Sequence, residues 1–416
     1  MNAQSRTSPS TEGTTLTSSL LVINSGDRAY REYSLAQIAA HHQVVLIGRS
    51  GPSWEGPYIA DHEVADLDDL DDLVGAVDDL LVNDVRGVLT WDEFSQFGAA
   101  HVAALLGTPG NSTATAMACR DKAASREAFA ACVVPSARST LVTTLEEAEQ
   151  AAAATGYPLV LKPARQAGSL GVIKAAGPGD LAAAYAHAAQ AAQDDEGADV
   201  LVEEYLDGPE ISVECVTVQG VTTPVAVTRK QLGPEPFFEE VGHSVEAGDP
   251  LLAIAGPVAV AALNALGFTT GVSHVEMRLT DTGPRLIEVN GRLGGDLIPH
   301  LVREATGIDL PLAAADIALG LEPDLVPTRR RAAAISLVYA PATGRLTRAD
   351  ADPALGSEPW LERLVWEKQA GDHVALPPDG DLGTARVAHI VATGTTAEIC
   401  LQHLADATGT LDITVS

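Results

Sequence analysis

Short apolar runs separated by longer segments of helical period open the chain. The runs at 20–23, 44–47 and 86–90 have the length of buried strands. Leucines within 66–79 recur at the spacing of an amphipathic helix, and a further helix is predicted over 34–41. Strands that alternate with helices in this way predict a parallel sheet, whose ligands bind at the loops after the carboxyl ends of the strands.

Glu93 occupies one of these loops, directly after the third predicted strand. A carboxylate at that edge of the sheet is able to contact a substrate amine. The same position also suits an N-cap or a surface acid at the start of the helix predicted over 93–106. Both interpretations stand at this point.

A lysine and a glycine-rich loop follow one another in the middle of the chain. Lys162 ends the apolar strand 159–163, and Gly168-Ser169-Leu170-Gly171 separates it from a strand predicted over 172–174. Glycines let the backbone approach phosphate groups closely, so that N–H groups can donate to them. The GxxxxGK[ST] pattern is absent, and an ordinary turn is the alternative. The other elements predicted nearby are a strand over 133–138, helices over 145–155 and 180–192, an exposed linker over 194–197 and two strands within 200–214.

A hairpin is predicted where two short runs, 275–279 and 285–289, flank the turn sequence Thr-Asp-Thr-Gly-Pro. Glu288 and Asn290 share a strand face because they are two residues apart, and Glu276 of the other strand can pair beside them. Two carboxylates and an amide oxygen that converge on one point suit Mg²⁺ or Mn²⁺. The alternative is that both glutamates are solvated positions of a half-exposed hairpin.

Composition limits the size of the molecule and excludes some partners. A chain of 416 residues with 46% hydrophobic residues can form roughly two to four domains with ample cores. Its formal net charge of -30, from 56 acidic and 26 basic residues, repels nucleic acid and anionic membranes. An anionic nucleotide therefore needs locally placed cations. The chain has only five lysines: Lys122, Lys162, Lys174, Lys230 and Lys368.

Cysteine usage and the first residues predict a soluble, cytoplasmic protein. The four cysteines are scattered without a CxxC pair, and we expect small buried thiols in a reducing compartment. Residues 1–19 are rich in Ser and Thr, are expected to be disordered, and lack the pattern of an export signal. The apolar run that follows them is too short to span a membrane.

Five motifs follow one another along residues 115–320, and their order resembles the ATP-grasp superfamily. They are Lys122, the Leu-Lys162-Pro strand end, the Gly/Ser loop, the segment EEYLDGPE at 203–210, and Glu276 with Glu288-Val-Asn290. The resemblance implies ATP as the nucleotide and Mg²⁺ as the metal, with Mn²⁺ as a substitute. It assigns the phosphates to Lys122 and Lys162 under Gly168 and Ser169, the adenine to Glu203, Glu204 and Leu206, the ribose to Glu210, and the metal to Glu276, Glu288 and Asn290.

Within that superfamily the sequence is similar to carboxylate–amine ligases of the L-amino-acid ligase and dapdiamide-synthase-like group. The motifs are GVSHVE at 271–276, EVNGRLGGD at 288–296 and RVAHIVATG at 386–394. The resemblance implies an α/β protein of three-part ATP-grasp architecture: a Rossmann-like N-terminal domain, a central domain and an ATP-grasp domain with antiparallel sheets, plus a small C-terminal α+β domain. The expected boundaries are 1–19 for a disordered tail, 20–112 for the N-terminal domain, 113–325 for the ATP-grasp region (divided near residue 200) and 326–416 for the C-terminal domain.

The resemblance implies an ATP-dependent C–N ligase that joins amino-acid-like substrates in small-molecule biosynthesis. A substrate carboxylate would take the γ-phosphoryl group as an acyl phosphate, and an amine would then displace phosphate to form an amide or dipeptide. Two alternatives remain open: an ATP-grasp carboxylase that activates bicarbonate, and a nucleotide-sensing module without catalysis. The expected partners are small-molecule carboxylates and amines, and a homodimer is expected at family level.

Residues around the hairpin are the candidates for acyl transfer. Arg292, two residues beyond Asn290, is the candidate cation for the phosphoryl group and the carboxylate, or else a surface arginine paired with Asp296. His274 shares a strand face with Glu276 and is either catalytic or structural. No residue stands out as the base for the amine. Two further residues are candidates for substrate contact: His243 and Gly294.

Overall fold

A parallel four-stranded sheet forms the N-terminal part of the protein. The computed structural model describes residues 18–193 and 199–416. The elements of this part are β1 (Ser19–Ile23), α1 (Arg28–Ala39), β2 (Gln43–Gly48), β3 (Asp61–Val64), α2 (Leu70–Leu80), β4 (Val85–Leu89) and α3 (Gln96–Leu106). The strands lie in the order β3-β2-β1-β4 and every pairing is parallel, which confirms the predicted Rossmann-like sheet.

Helix starts in this part differ from the prediction because polar caps set them. Helix α1 begins at Arg28, six residues before the predicted start, after the Asp27 carboxylate accepts from the Ala29 N–H. Helix α2 begins at Leu70 behind the Asp69 cap. The polar edge strand β3 was not predicted. Residues 1–17 of the predicted disordered tail lie outside the described residues. Ser19, the last residue of that predicted tail, belongs to β1.

An antiparallel four-stranded sheet follows, in the order β5-β8-β6-β7. The prediction of a strand over 133–138 is wrong. Val133 follows a helix, has a left-handed φ of 57° and is exposed. The strand in this region begins at Ser139. The predicted linker 194–197 lies outside the described residues. The elements are α4 (Thr113–Arg120), α5 (Lys122–Ala131), β5 (Ser139–Val142), α6 (Leu145–Thr155), β6 (Leu159–Pro163), β7 (Ile173–Ala175), α7 (Leu181–Ala192) and β8 (Val200–Glu204).

The largest sheet has eight strands and crosses the predicted boundary at 325/326. Its order is β13-β12-β9-β10-β11-β14-β18-β16, and strands from the last part of the chain join it where Gly242 pairs with Ser336 and Glu246 with Ala332. The elements are β9 (Glu210–Val218), β10 (Val221–Leu232), β11 (Glu240–Glu246), α8 (Leu252–Ala265), β12 (Gly271–Thr280), β13 (Gly283–Asn290), α9 (Ile298–Thr306), α10 (Leu310–Ala318), β14 (Ala332–Tyr339), β16 (Leu361–Trp366) and β18 (Arg386–Gly394).

A small three-stranded antiparallel sheet completes the C-terminal part, in the order β17-β15-β19. Its elements and the remaining helices are β15 (Gly344–Asp350), β17 (His373–Val374), α11 (Leu382–Ala385), α12 (Ala397–Thr408) and β19 (Asp412–Val415). The parallel sheet, the segment after Arg292 and the large sheet share one core, in which Leu35, Trp91, Leu293 and Ile335 are buried together. Burial of these side chains holds the loop after Arg292 against the N-terminal part.

Candidate active site

The predicted hairpin is present as β12 and β13, and it brings three oxygen-bearing side chains to one cleft. Glu276 pairs directly with Glu288, and His274 pairs with Asn290 on the same ladder. Residues two apart share a strand face, so Glu276, Glu288 and Asn290 all line the cleft. The alternative of solvated surface glutamates is therefore excluded for both residues, whose side chains are largely buried.

Each of the three side chains has a cationic neighbour. Glu276 accepts from Lys230 Nζ at 2.8 Å and contacts His274 Nε2 at 3.0 Å, while Glu288 pairs with Lys122 Nζ at 2.9 Å. Arg292 Nη2 donates to Asn290 Oδ1 at 3.3 Å. Burial raises the pKa of Glu276, but Lys230 and His274 outweigh it and hold the pKa well below its ordinary value. Anionic, hard oxygen donors of this kind fit a divalent cation such as Mg²⁺.

The two predicted phosphate lysines end in the same cleft from different elements. Lys122 opens α5 and its ammonium group also donates to the Gln166 carbonyl at 2.5 Å. Lys162 of β6 is buried and pairs with Glu203 at 2.7 Å. Burial lowers the pKa of Lys162, and the charge of Glu203 offsets part of that effect. Both ammonium groups lie in the cleft wall together with Glu288.

Glu203 has a role in the structure that the sequence did not suggest. Its carboxylate lies between Lys162 and Arg126, whose Nε donates to it at 2.8 Å. Burial raises the pKa of Glu203. The charges of Arg126 and Lys162 have the larger, opposite effect and bring the pKa down to about 2. The side chain therefore fixes Lys162, and any contact between residue 203 and adenine has to come from the backbone.

Part of the cleft is lined by apolar side chains, which suit the face of a flat ring. The Glu204 N–H already donates to the Arg138 carbonyl at 3.0 Å, so a backbone contact with adenine at this residue has to use the carbonyl group. Glu210 lines the cleft but pairs with Arg278 at 2.9 Å, and burial raises its pKa. The apolar lining residues are Ala137, Val160, Leu206 and Ile287.

The Gly/Ser loop joins β6 to β7 beside the cleft. Gly168 and Ser169 line the cleft and both have left-handed φ values, 62° and 60°. The Ser169 hydroxyl donates to the Phe238 carbonyl at 3.0 Å, which ties the loop to the segment before β11. Because that hydroxyl is engaged, the donors that the loop offers to a phosphate are backbone N–H groups.

Arg292 and Glu93, 199 residues apart in the chain, form one ion pair at 2.5 Å. Glu93 is 8% exposed, and Ser95 occupies the N-cap position of α3, so the N-cap and surface interpretations of Glu93 were wrong. The alternative pairing of Arg292 with Asp296 was also wrong, since Asp296 pairs with Arg386 at 2.6 Å. The N-terminal part thus supplies a carboxylate to the hairpin end of the cleft.

His274 and Gly294 are packed against each other. The two ring nitrogens of His274 contact Glu214 at 2.8 Å and Glu276 at 3.0 Å. Burial lowers the pKa of His274, but Glu214 and then Glu276 raise it overall, to about 9, so the ring is protonated near neutral pH. A Cβ on Gly294 would lie 3.0 Å from His274 Nδ1, so a larger residue would require the ring to shift by a few tenths of an ångström. Of the two interpretations of His274, these contacts favour the structural one.

His243 lies behind the cleft wall. It is fully buried, and its Nε2 contacts Asp296 at 3.2 Å and Glu240 at 3.4 Å. Asp296 and Glu240 line the cleft themselves. The structure therefore brings His243 to the cleft only through these two carboxylates, and its predicted direct contact with substrate is not supported.

Two site residues were missed by sequence reasoning. Lys230 lies among three carboxylates, at 2.5 Å from Glu240, 2.8 Å from Glu276 and 3.7 Å from Glu210. Its rarity as one of five lysines was the available signal. Arg386 of the C-terminal part reaches Asp296, a contact between distant segments that no local pattern indicates.

The remaining composition-based predictions have mixed outcomes. Cys119, Cys215 and Cys400 are buried free thiols, but Cys132 is exposed, so the expectation of burial was wrong for it. Among the described residues, none of the helices has the length and apolar character needed to cross a membrane. The cytoplasmic location, the homodimer and the lack of a nucleic-acid partner stay predictions.

Comparison with known families covers two parts of the chain. Residues 155–300, which include most of the residues that line the cleft, match the ATP-grasp domain. Residues 336–416 match the L-amino acid ligase C-terminal domain 2. The chain therefore carries an ATP-grasp domain and the C-terminal domain of L-amino acid ligases, which confirms the predicted resemblance.

Solved and curated relatives agree with this assignment. The fold is similar to the crystal structure of L-amino acid ligase from Bacillus licheniformis, with a TM-score of 0.81, 22% identity, and coverage of 96% of this chain and 99% of that chain. The uncharacterized protein y4rH of Sinorhizobium fredii is 31% identical over 294 residues, 69% of this chain and 61% of y4rH. Human carnosine synthase 1 is 37% identical over 135 residues, 32% of this chain and 16% of the synthase. The chain thus matches less than two thirds of the length of each of these two curated relatives.

Proposed function

We propose that the protein is an ATP-dependent carboxylate–amine ligase that joins amino-acid-like substrates through an acyl phosphate. One observation carries the proposal: a single cleft is lined by apolar side chains, two lysines, the oxygen donors of the hairpin, and Arg292, which pairs with Glu93. The C-terminal domain match supports a ligase over a bicarbonate-activating carboxylase. Similarity to human carnosine synthase 1 supports the same choice.

ATP would bind with its adenine against the apolar side chains and its phosphates toward Lys122 and Lys162. The two ammonium groups offset the charge of the triphosphate inside an acidic protein. Glu210 would accept from the ribose hydroxyls, and the loop at Gly168 and Ser169 would cover the phosphates with N–H groups. This orientation directs the γ-phosphate toward Arg292 and the carboxylate substrate.

Glu276, Glu288 and Asn290 would hold Mg²⁺, or Mn²⁺ in its place. The fit rests on their donor chemistry, two carboxylates on one cross-strand pair and an amide oxygen on the next. Once bound, the ion would neutralise phosphate oxygens and act as a Lewis acid. The cations that now contact these oxygens would move toward the phosphates.

The reaction has two displacement steps. A carboxylate oxygen attacks the γ-phosphorus of ATP, the bond from that phosphorus to the bridging oxygen breaks, and ADP leaves with the electron pair. The amine nitrogen then attacks the acyl carbon, the carbon–oxygen bond to phosphate breaks, and inorganic phosphate leaves. Arg292 donates to the phosphoryl oxygens and to the oxyanion that forms on the acyl carbon. The proton that the amine loses passes to solvent.

A matrix of paired amino acids tests the proposal. ATP, MgCl₂ and pairs of the twenty L-amino acids are incubated with the protein, phosphate release is measured, and products are identified by mass spectrometry. We expect release that needs two amino acids and a product whose mass is their sum minus water. Release that needs bicarbonate and no amine would refute the proposal. Glu288→Gln should abolish the release, while Glu398→Gln, a change at an exposed glutamate, serves as control.

A further inference from the structure

Arg31 is a partly buried arginine beside the 294–296 segment of the cleft wall, and the reaction scheme leaves it unused. It lies in the first turns of α1, which follows the carboxyl end of β1, the edge where parallel sheets bind ligands. Its Nη1 donates to the Gly294 carbonyl at 3.2 Å, and the next two residues, Gly295 and Asp296, line the cleft. The guanidinium group therefore lies in the wall beside the Arg292 loop.

The backbone before α1 fixes the direction of this side chain. Gly26 has a left-handed φ of 73°, and a Cβ at that position would approach the Arg31 Cγ at 3.3 Å. The loop after β1 thus packs against the stem of Arg31. The stem of Arg31 and the Gly294 carbonyl therefore position the guanidinium group.

Arg31 lacks the direct carboxylate contact that other arginines of the site have among the described residues. Arg292, Arg278 and Arg386 each have a carboxylate oxygen within 3.0 Å, whereas Arg31 has none within 4.0 Å among the described residues. Burial lowers the pKa of Arg31 and the nearby Arg292 guanidinium adds to that effect, while Tyr33, Asp296 and Asp92 offset part of it from a distance. A cation withdrawn from water next to a like charge is unfavourable until an anion joins it.

We propose that Arg31 binds a carboxylate of an amino-acid substrate beside the Arg292 loop. The inference rests on the proposed ligase function. A guanidinium group has five N–H donors, and Gly294 uses one of them, so a planar fork remains for a carboxylate. That carboxylate is either the group that becomes phosphorylated or the free carboxylate of the amine substrate, and the experiment separates these two sources.

The first measurement is binding, which does not depend on turnover. Melting temperatures of the full chain are recorded with MgCl₂ and a non-hydrolysable ATP analogue, with and without each of the twenty L-amino acids. We expect amino acids that stabilise the wild type to lose about 10- to 100-fold in apparent affinity in Arg31→Gln. Arg31→Lys should keep part of it. Arg28→Gln, on the same helix but exposed and paired with Glu32, should match the wild type.

The second measurement identifies the carboxylate by steady-state kinetics. If Arg31 binds the free carboxylate, replacing the amine substrate by its primary amide raises KM in the wild type, and Arg31→Gln shows the same KM for acid and amide. If it binds the carboxylate that is activated, Arg31→Gln raises KM for that substrate only. In both cases KM for ATP stays unchanged, which a general loss of structure would not produce.

The results separate this inference from the proposed function. Turnover with both KM values within about twofold of wild type in Arg31→Gln and Arg31→Lys would overturn the inference and leave the ligase function intact. Arg31-dependent binding of amino acids without any product would support the inference and refute the ligase function. A lower melting temperature in Arg31→Gln with unchanged amino-acid affinity would also overturn it.

Discussion

Lys230→Met should destabilise the protein because it removes the one cation shared by three carboxylates. The ammonium group lies 2.5 Å from Glu240, 2.8 Å from Glu276 and 3.7 Å from Glu210. Methionine has a similar length, so the packing of the buried stem is kept. What the variant loses is charge compensation. Carboxylate oxygens of the three glutamates lie within 4.8 Å of one another.

The size of the effect follows from opposing contributions. Each contact is worth about 4–7 kcal/mol of Coulomb energy at an effective dielectric constant near 20. Desolvation of the ammonium group and the carboxylates offsets most of this, and removal of one partner of a buried pair costs about 3–5 kcal/mol net. The unfolding entropy is roughly 2.1 cal/mol/K per residue over 416 residues. Dividing the lost free energy by this entropy gives a fall of about 3–6 °C in melting temperature.

The same argument predicts a pH dependence with a definite sign. Without Lys230, the pKa values of Glu210, Glu240 and Glu276 rise in the folded state above those of the unfolded chain. Stability lost at pH 7 therefore returns as these groups protonate toward about pH 5. Millimolar MgCl₂ should also restore part of it, because the three carboxylates then resemble a cation site.

Thermal unfolding between pH 5 and pH 8, followed by tryptophan fluorescence, tests the prediction. Lys368→Met is the matched control, since Lys368 has no carboxylate within 4.0 Å in the described part of the chain. A Lys230→Met protein that melts within about 1 °C of wild type at every pH would refute the reasoning.

Three further predictions concern the hairpin and its neighbours. Glu288→Gln should lower the rate of phosphate release at least about 100-fold, since one hard metal ligand is lost, and an unchanged rate would contradict the metal assignment. Its melting temperature should fall by about 3–6 °C, since the buried Lys122 ammonium group loses its carboxylate partner. Glu93→Gln should raise KM for an amino-acid substrate about 10-fold, because Arg292 loses its charged partner, and an unaltered KM would contradict that link. The raised pKa of His274 means that its stabilising charge is complete below pH about 6.5 and is lost as pH rises through about 9. Melting temperatures should therefore fall over that range by about 3 °C in the wild type, and His274→Gln should remove the slope; a slope that persists in the variant would assign it to another group.

Much of the fold was predictable because local patterns fix it. The apolar runs that became β1, β2 and β6 are short and largely buried, and the turn sequence between β12 and β13 places the hairpin. Strand alternation puts Glu288 and Asn290 on one face, which is why they could be grouped from spacing. The direct pairing of Glu276 with Glu288 also needs the β-bulge between Glu276 and Met277, which shifts the register set at the turn by one residue.

The rest depends on contacts between distant segments. Glu93 and Arg292 pair because the parallel sheet docks on the hairpin loop, and no periodicity in either segment indicates that docking. Lys230 and Arg386 lie on different strands of the large sheet, and the order of those strands and the loop at Asp296 bring them to carboxylates that are distant in the chain. Charges placed by tertiary packing are the part of a site that single-sequence reasoning cannot supply.

The eight-stranded sheet makes the C-terminal part hard to exchange. Strand β14 pairs with β11 from Gly242↔Ser336 to Glu246↔Ala332, so a cut at 325/326 would leave the backbone of β11 unpaired at a new edge. Exposed edges of this kind recruit other strands and aggregate. Chimeras that take the C-terminal part from another ligase therefore have to preserve the register of β14, and the last part of the chain is not a freely interchangeable module.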